Sequence, residues 1–514
     1  MNPFLATDGY KTGHHKMYPK DTTLVYSNFT PRHGKHSNTD LGGVISFGQQ
    51  MVMKQIKEMF DENFFRPSKI VCLEIKEEYS LYLGTDYDVS HIEALWDLGY
   101  LPIKVKALPE GTFVPYGVPV LTIVNTKPEF FWLTNFLETL ISNMLWMPMT
   151  AATTAYSYKK LLTKHIIDTD KDAIDFVDFQ GHNFGMRGMA GIDATIYSGL
   201  GHATSFLGDD SLPTIYAARK YYNAVGQIVH SVNATEHSVM CAGSKGDEIG
   251  TFRYLMSQFP TGVLSIVSDT WDLWKVLTEY LPILKDEILA RDGKIVIRPD
   301  SGDPVDIICG ASGTVMYDGD TGKATNIYRG KKQTSVDIGT PEHKGVIELL
   351  WDLFGGTINE QGYKVLDPHI GAIYGDSITL DRADQICKRL KAKGFASSNI
   401  VLGIGSYTYQ YVTRDTHGFA MKATYVEIKQ TDKLRGNYGL NQGREIFKDP
   451  ITDDGGKKSA KGLLNVTYGN STYQLQDGLS WESEKMGYLQ TIFNNGKFYN
   501  EVSLAEIRKK LNHG

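Results

Sequence analysis

Four times between Leu264 and Ser406, a short apolar run stops abruptly at small, acidic or basic residues and a helical pattern follows. The runs are Leu264-Ser-Ile-Val-Ser-Asp269, Ile295-Val-Ile-Arg298-Pro-Asp300-Ser-Gly302, Ile370-Gly-Ala-Ile-Tyr-Gly375-Asp376-Ser377 and Ile400-Val-Leu-Gly403-Ile-Gly405-Ser406. Strands buried on both faces of a parallel sheet read as unbroken apolar runs, and barrel enzymes carry their chemistry at strand C-terminal ends. The pattern predicts a parallel α/β barrel. Its rim of aspartates, one arginine and glycine-rich turns suits phosphate and sugar hydroxyls.

A chain of 514 residues is too long for one core but sufficient for a barrel and a second domain. The net charge of −6, with no long Lys/Arg run, argues against nucleic acid as the main partner, because duplex affinity comes largely from neutralising phosphates. Cys72, Cys241, Cys309 and Cys387 are widely spaced, which suits reduced thiols better than a disulfide frame or zinc site. The opening Met1-Asn-Pro-Phe-Leu-Ala-Thr-Asp8 has no basic or apolar leader pattern, and Asn135, Glu138 and Asn143 break the most apolar stretch. The expectation is a cytoplasmic protein without a membrane partner.

Helical spacing dominates from about 45 to 100, and alternation with Pro-x-Gly turns predicts antiparallel strands from Ile103 to Val124. Two helices are expected, over Phe130–Leu145 and Thr153–Ile166. Strand and helix alternation then begins at Ile174–Phe179 and runs to about 425. These limits set residues 1–150 and about 425–514 apart from a barrel over 151–424 with a hairpin insertion at about 305–340. Within the insertion, Gly322-Lys323 is no phosphate loop: the spacing from Gly319 is too short and Ala324 replaces the required hydroxyl.

Several groups are candidates for chemistry. In His182-Asn-Phe184-Gly185-Met-Arg187-Gly188, glycine allows close backbone approach, Arg187 can fork onto an oxygen and Phe184 can stack on a flat ring. Glu236-His237 ends another apolar piece and is either a structural pair or a rim nucleophile or acid/base. Arg298 and Asp300 place opposite charges at one strand end. Gly375-Asp376 and Gly405-Ser406 end the last two strands, where barrels often bind phosphate through backbone N–H groups.

Assembled in order, these residues resemble the nicotinamide phosphoribosyltransferase branch of the type II phosphoribosyltransferases, within the nicotinate phosphoribosyltransferase superfamily. The resemblance extends from Ala6-Thr-Asp8-Gly-Tyr10-Lys11 to Glu506-Ile-Arg508-Lys, through Phe184-Gly-Met-Arg187-Gly, Ala234-Thr-Glu236-His237-Ser, Ser268-Asp269, Ile297-Arg298-Pro-Asp300-Ser-Gly302, Gly375-Asp376, Thr413-Arg414-Asp415 and Phe447-Lys448-Asp-Pro450. It implies a TIM-like barrel with an α+β domain built from the N- and C-terminal segments, and a homodimer with active sites at the interface. The implied reaction joins nicotinamide to phosphoribosyl pyrophosphate with Mg²⁺, giving nicotinamide mononucleotide and pyrophosphate, coupled to ATP hydrolysis in NAD salvage.

Carried over, Phe184 and the partner's Tyr10 would sandwich the pyridine ring. Asp210 would face the carboxamide, with Arg187 near its oxygen and Arg298 and Ser265 also in the nicotinamide site; adjacent Asp209 leaves the register open. Asp300, Gly375 and Asp376 would hold the ribose, and Gly405 and Ser406 the 5′-phosphate. Mg²⁺ would be bound mainly through pyrophosphate, with Asp269 and Asp300 nearby. Asp8, Arg32, Arg414, Lys422, Lys448 and Lys457 would complete the ribose and phosphate contacts, and His237, beside Glu236, would be phosphorylated by ATP. Two positions depart from the family pattern: Gly371 replaces a usual arginine, and Ser406 a common glycine. The alternatives are a nicotinate phosphoribosyltransferase and a non-catalytic nucleotide-binding protein of the same fold.

Overall fold

In a computed structural model, described for residues 1–329, 334–429, 441–452 and 459–513, the apolar runs form a parallel barrel of seven strands. These are β1 (Gly181–Asn183), β2 (Gly208–Asp209), β3 (Asn233–Ala234), β4 (Thr261–Val267), β5 (Asp292–Arg298), β6 (Ile370–Tyr374) and β7 (Ile400–Ile404). They pair in the order β2-β1-β7-β6-β5-β4-β3, and a parallel bridge between Gly208 and His230, just before β3, joins the two ends into a ring. Register carries function here. Because Ile297 pairs with Ile266 and Arg298 with Val267, the residues just past β4 and β5 emerge side by side on one rim. Ile266, Ile295, Ile297, Leu402 and Ile404 are fully buried and fix the strands in place.

A second, antiparallel sheet takes strands from both ends of the chain. Its order is Asn441–Glu445, Ala420–Lys429, Thr22–Thr30, Leu121–Asn125, Ile103–Ala107, Gln490–Asn494, Lys497–Phe498. Its apolar core also takes up Ile196, Leu200, Ala217 and Tyr222 from the barrel helices Ile192–Ala203 and Leu212–Tyr222, so the two parts share packing.

Three local expectations are corrected. The two helices expected across 130–166 are mainly one, Glu138–Thr169, running through Pro148. Proline removes a helix hydrogen bond and crowds the preceding turn, but packing prevails: a β-carbon on Gly48 would lie 2.8 Å from the Pro148 ring. Thr150, Thr153 and Ser157 also return hydroxyl hydrogen bonds to carbonyls four residues back, at 2.7, 2.7 and 2.9 Å. Second, Ile174–Phe179 is helical and the first barrel strand begins at Gly181; the buried residues there, Val177 and Gln180, are three apart rather than alternating. Third, the insertion is a three-stranded sheet, Thr314–Tyr317, Ala324–Arg329 and Thr334–Asp337, rather than a hairpin.

Among the described residues no helix is long and apolar enough to cross a membrane. Cys72, Cys309 and Cys387 are buried thiols and Cys241 is exposed.

Candidate active site

Small residues on the strands leave the barrel hollow. Ala234, Ser265, Gly371 and Ala372 help line a cavity of about 370 Å³ that reaches from Phe184, Asp210 and Arg298 at the C-terminal strand ends to Lys294, Gly371 and Ile400 at the N-terminal ends. Barrels of this kind usually fill that space with branched side chains.

The wall of the cavity at the rim is polar in a specific way. Asp209 and Asp210 divide their roles: Asp209 is buried, accepting from Asn183 Nδ2 at 3.0 Å, the Ser211 N–H at 2.6 Å and Thr214 Oγ1 at 2.8 Å, and burial pushes its carboxyl up to about 6. Of the two, Asp210 lines the cavity. Burial alone would raise its carboxyl, but hydrogen bonds from His182 and Ser231 and the charge of Arg298 hold it below the ordinary carboxylate value. Arg298 donates to the Thr235 carbonyl through one nitrogen, while its buried Nε has no partner. Ser265 Oγ, likewise buried, has none either. Unpaired buried polar atoms are costly, and both residues line the same cavity. Phe184 stands 4.5 Å from the His182 ring, between centroids, and its N–H is held by the Ile404 carbonyl at 3.0 Å. Arg187 is exposed on the turn Met186–Gly188 and does not line the cavity; Arg298 is the guanidinium that does.

Around the rim, Asp269 Oδ2 accepts the N–H groups of Asp300 and Ser301 and the Ser301 hydroxyl, at 2.8, 2.7 and 2.5 Å, while its buried Oδ1 is unpartnered. Gly375 and Gly405 are glycines of close approach: a β-carbon would lie 2.3 Å from Asp300 Oδ1 and 2.2 Å from Asp376 Oδ1, respectively. Ser406 opens the short helix Ser406–Gln410 and packs on the turn after β1, where a β-carbon on Gly188 would meet its Oγ at 2.0 Å. The serine thus occupies space vacated by a glycine on the facing turn. His237 Nδ1 lies 3.0 Å from Thr270 Oγ1 and Nε2 lies 3.8 Å from Asp300, with the ring half exposed. Glu236 accepts from Ser238 and makes no recorded hydrogen bond to the His237 ring. Gly371 is likewise accounted for: a β-carbon there would lie 3.2 Å from Lys294 Cδ, so the lysine fills the space and brings its own cation into the lumen.

The other expected residues that are described lie apart from this cavity. Asp8, Tyr10, Glu138, Trp146 and Arg414 help line a second cavity of about 280 Å³ that shares no lining residue with the first. Tyr10 is 64% exposed, the Thr139 hydroxyl donates to Asp8 at 2.7 Å, and Lys11 pairs with Glu138 at 2.5 Å. Beside it, burial lowers the Lys422 ammonium and the charges of Arg32, Lys448 and Arg414 lower it further, so four cations are grouped. Lys457 lies outside the described residues. Among the described residues no group of three His, Cys, Asp or Glu side chains could hold a metal ion.

Sequence reasoning passed over His182, Ser231, Thr270 and Ser301. The first two were visible only as residues beside Phe184 and in the apolar piece before β3, and nothing in their spacing ties them to Asp210.

The model of the nicotinate phosphoribosyltransferase (NAPRTase) family matches residues 179–497. A nicotinamide phosphoribosyltransferase of Acinetobacter baylyi is 47% identical, covering 99% of this chain and 97% of that protein. One from Mycoplasma pneumoniae is 34% identical, covering 91% and 97%. Among solved structures, human nicotinic acid phosphoribosyltransferase superposes with a TM-score of 0.53 at 15% identity (99% of this chain, 93% of that one). The nicotinate-nucleotide pyrophosphorylase of Pyrococcus furiosus gives 0.52 at 14% (100% and 95%). At such identities the structural likeness concerns the fold.

Proposed function

Because this chain belongs to the nicotinate phosphoribosyltransferase family, we propose that it transfers phosphoribosyl from phosphoribosyl pyrophosphate to nicotinamide, in NAD salvage, with Mg²⁺ and with ATP hydrolysis coupled through His237. The observation that carries the choice of base is the wall set: Asp210 as acceptor, Ser265 and Arg298 with unused donors, and Phe184 at the mouth. A carboxamide needs one acceptor for its NH2 and donors for its oxygen. Nicotinate would instead bring a second carboxylate up to Asp210, a repulsion of several kcal/mol at about 4 Å in a partly buried site.

The ring nitrogen attacks C1 of the ribose as the bond to pyrophosphate breaks, so positive charge develops on the sugar and negative charge on the leaving group. Catalysis is then mainly positioning and charge placement. Asp300 and Asp376, crowded against Gly375 and Gly405, are arranged to hold ribose hydroxyls, and the N-terminus of Ser406–Gln410 to receive the 5′-phosphate. Bound Mg²⁺ would supply charge neutralisation on the pyrophosphate, held by that ligand with Asp269 Oδ1 and Asp300. His237 would accept a phosphoryl group from ATP, a role that its half-exposed ring beside Asp300 supports. The second half-site, with Tyr10 and the four cations, supports a homodimer in which each subunit completes its partner's site.

The test is product formation from phosphoribosyl pyrophosphate with nicotinamide and nicotinate in parallel, each with and without ATP. Nicotinamide mononucleotide formed faster in the presence of ATP is the expected result. A preference for nicotinate would reassign the base, and silence with both would end the catalytic reading.

A further inference from the structure

Asp210 is held by one of its two oxygens. His182 Nε2 lies 2.9 Å from Oδ1, and the Ser231 hydroxyl donates to the same atom. Oδ2 has no recorded hydrogen bond, so it is the oxygen left for a ligand in the cavity that Asp210 lines. The His182 ring fits beside β2 because residue 208 is glycine: a β-carbon there would lie 2.7 Å from Nδ1. Since a carboxylate only accepts, Nε2 must carry the proton of the neutral ring, and Nδ1 is where a second proton would go. Histidine is the side chain that ordinarily changes charge near neutrality.

We propose that His182 is a specificity-determining residue for the reaction proposed above, on which this inference rests: neutral, it presents Asp210 as an ionised carboxylate that repels an anionic base; protonated, it cancels that charge and admits nicotinate. The groups that interact electrostatically with the ring are Asp209 and Asp210 at the end of β2 and His202 from Ile192–Ala203, while Arg298 from β5 and His230 from the segment before β3 line the same cavity. Buried His202 is bound by Tyr409 and the Gly208 carbonyl and stays neutral, its ring pushed down to about 3. The second proton on His182 adds one positive charge to a wall that otherwise carries the Asp210 carboxylate and the Arg298 guanidinium.

The experiment is competition between nicotinamide and nicotinate in one vessel, from about pH 8.5 to about pH 5.5. Nicotinate is ionised throughout, and ionisation of phosphoribosyl pyrophosphate and of groups common to both reactions cancels in the ratio of the two kcat/KM values. That ratio should fall roughly tenfold on acidification in the unmodified enzyme. It should stay flat in His182→Gln, whose amide nitrogen keeps a donor to Asp210 and takes up no proton. A flat ratio in the unmodified enzyme overturns the proposal, as does an unchanged slope in His182→Gln, which would assign the titration to Asp209 or His230. Nicotinate favoured at every pH would remove the parent reading instead. Should His182→Gln fail to fold, calorimetric binding of each base to the unmodified enzyme across the same pH range gives the same ratio, and its constancy overturns the inference.

Discussion

The Asp269 carboxylate holds the backbone of Asp300, accepting its N–H at 2.8 Å and that of Ser301 at 2.7 Å. One strand end therefore sets the position of the acid on the next. Asp269→Asn can keep all three donors on its amide oxygen, but it removes the negative charge and puts an NH2 where the unpartnered Oδ1 stands. Loss of one well-placed electrostatic contact at a reacting centre costs about 10²-fold in kcat, and steady-state kinetics on Asp269→Asn should show a loss of that order with the fold intact by circular dichroism.

Gly188 and Ser406 share one volume, since a β-carbon on the glycine would lie 2.0 Å from the serine oxygen. Gly188→Ala should displace the phosphate-binding turn and raise KM for phosphoribosyl pyrophosphate several-fold, with little change in KM for nicotinamide. Combining it with Ser406→Gly should restore most of the loss. A double-mutant cycle measures that coupling directly, and additive effects would show that the two turns do not constrain each other.

If His237 carries phosphate from ATP, His237→Ala should lose ATP stimulation while keeping a basal rate. Its neighbours Thr270 and Asp300 remain in place to hold the rim. ATP dependence unchanged in that variant would remove the phosphohistidine role.

Asp210→Asn presents the base with an amide that both donates and accepts. The preference expected for nicotinamide should narrow by roughly two to three orders of magnitude, the size expected from removing one charge about 4 Å from the competing carboxylate. Competition kinetics with both bases would measure it.

Away from the site, Glu110 is buried and its carboxyl is pushed up to about 7 by burial, although the Gln50 N–H donates to it at 2.7 Å. A carboxyl that ionises more readily unfolded than folded stabilises least at high pH. Up to about 3 kcal/mol of stability should be lost as pH rises from the unfolded carboxyl value through about 7. The drop in Tm between about pH 5 and about pH 8 should be smaller in Glu110→Gln, which keeps the acceptor for Gln50.

The long strands β4, β5, β6 and β7 were legible because each carries a run of apolar residues, and their rim residues followed by counting past its end. β1, β2 and β3 span two or three residues, too few to leave a periodic signal, and the helical turn over Ile174–Phe179 mimicked the first of them. Pro148 misled because its cost is local whereas the packing of Gly48 against it is not. Asp210 was within reach from a motif. His182 and Ser231 were not, because they meet Asp210 only once β1, β2 and the segment before β3 lie side by side.

The sheet that joins the chain's two ends also sets a timetable. Thr23 hydrogen-bonds the carbonyl of Glu427, 404 residues later. At roughly 5–20 residues per second of synthesis, the strand Thr22–Thr30 waits about 20 to 80 s for its neighbour to emerge. During that interval one edge of a central strand is bare, an invitation to pair with another nascent chain. The barrel strands, continuous in sequence, all emerge before that neighbour. Production of this protein should therefore depend on a factor that shields the N-terminal strands, and a circular permutant beginning at Ala420 should need it less.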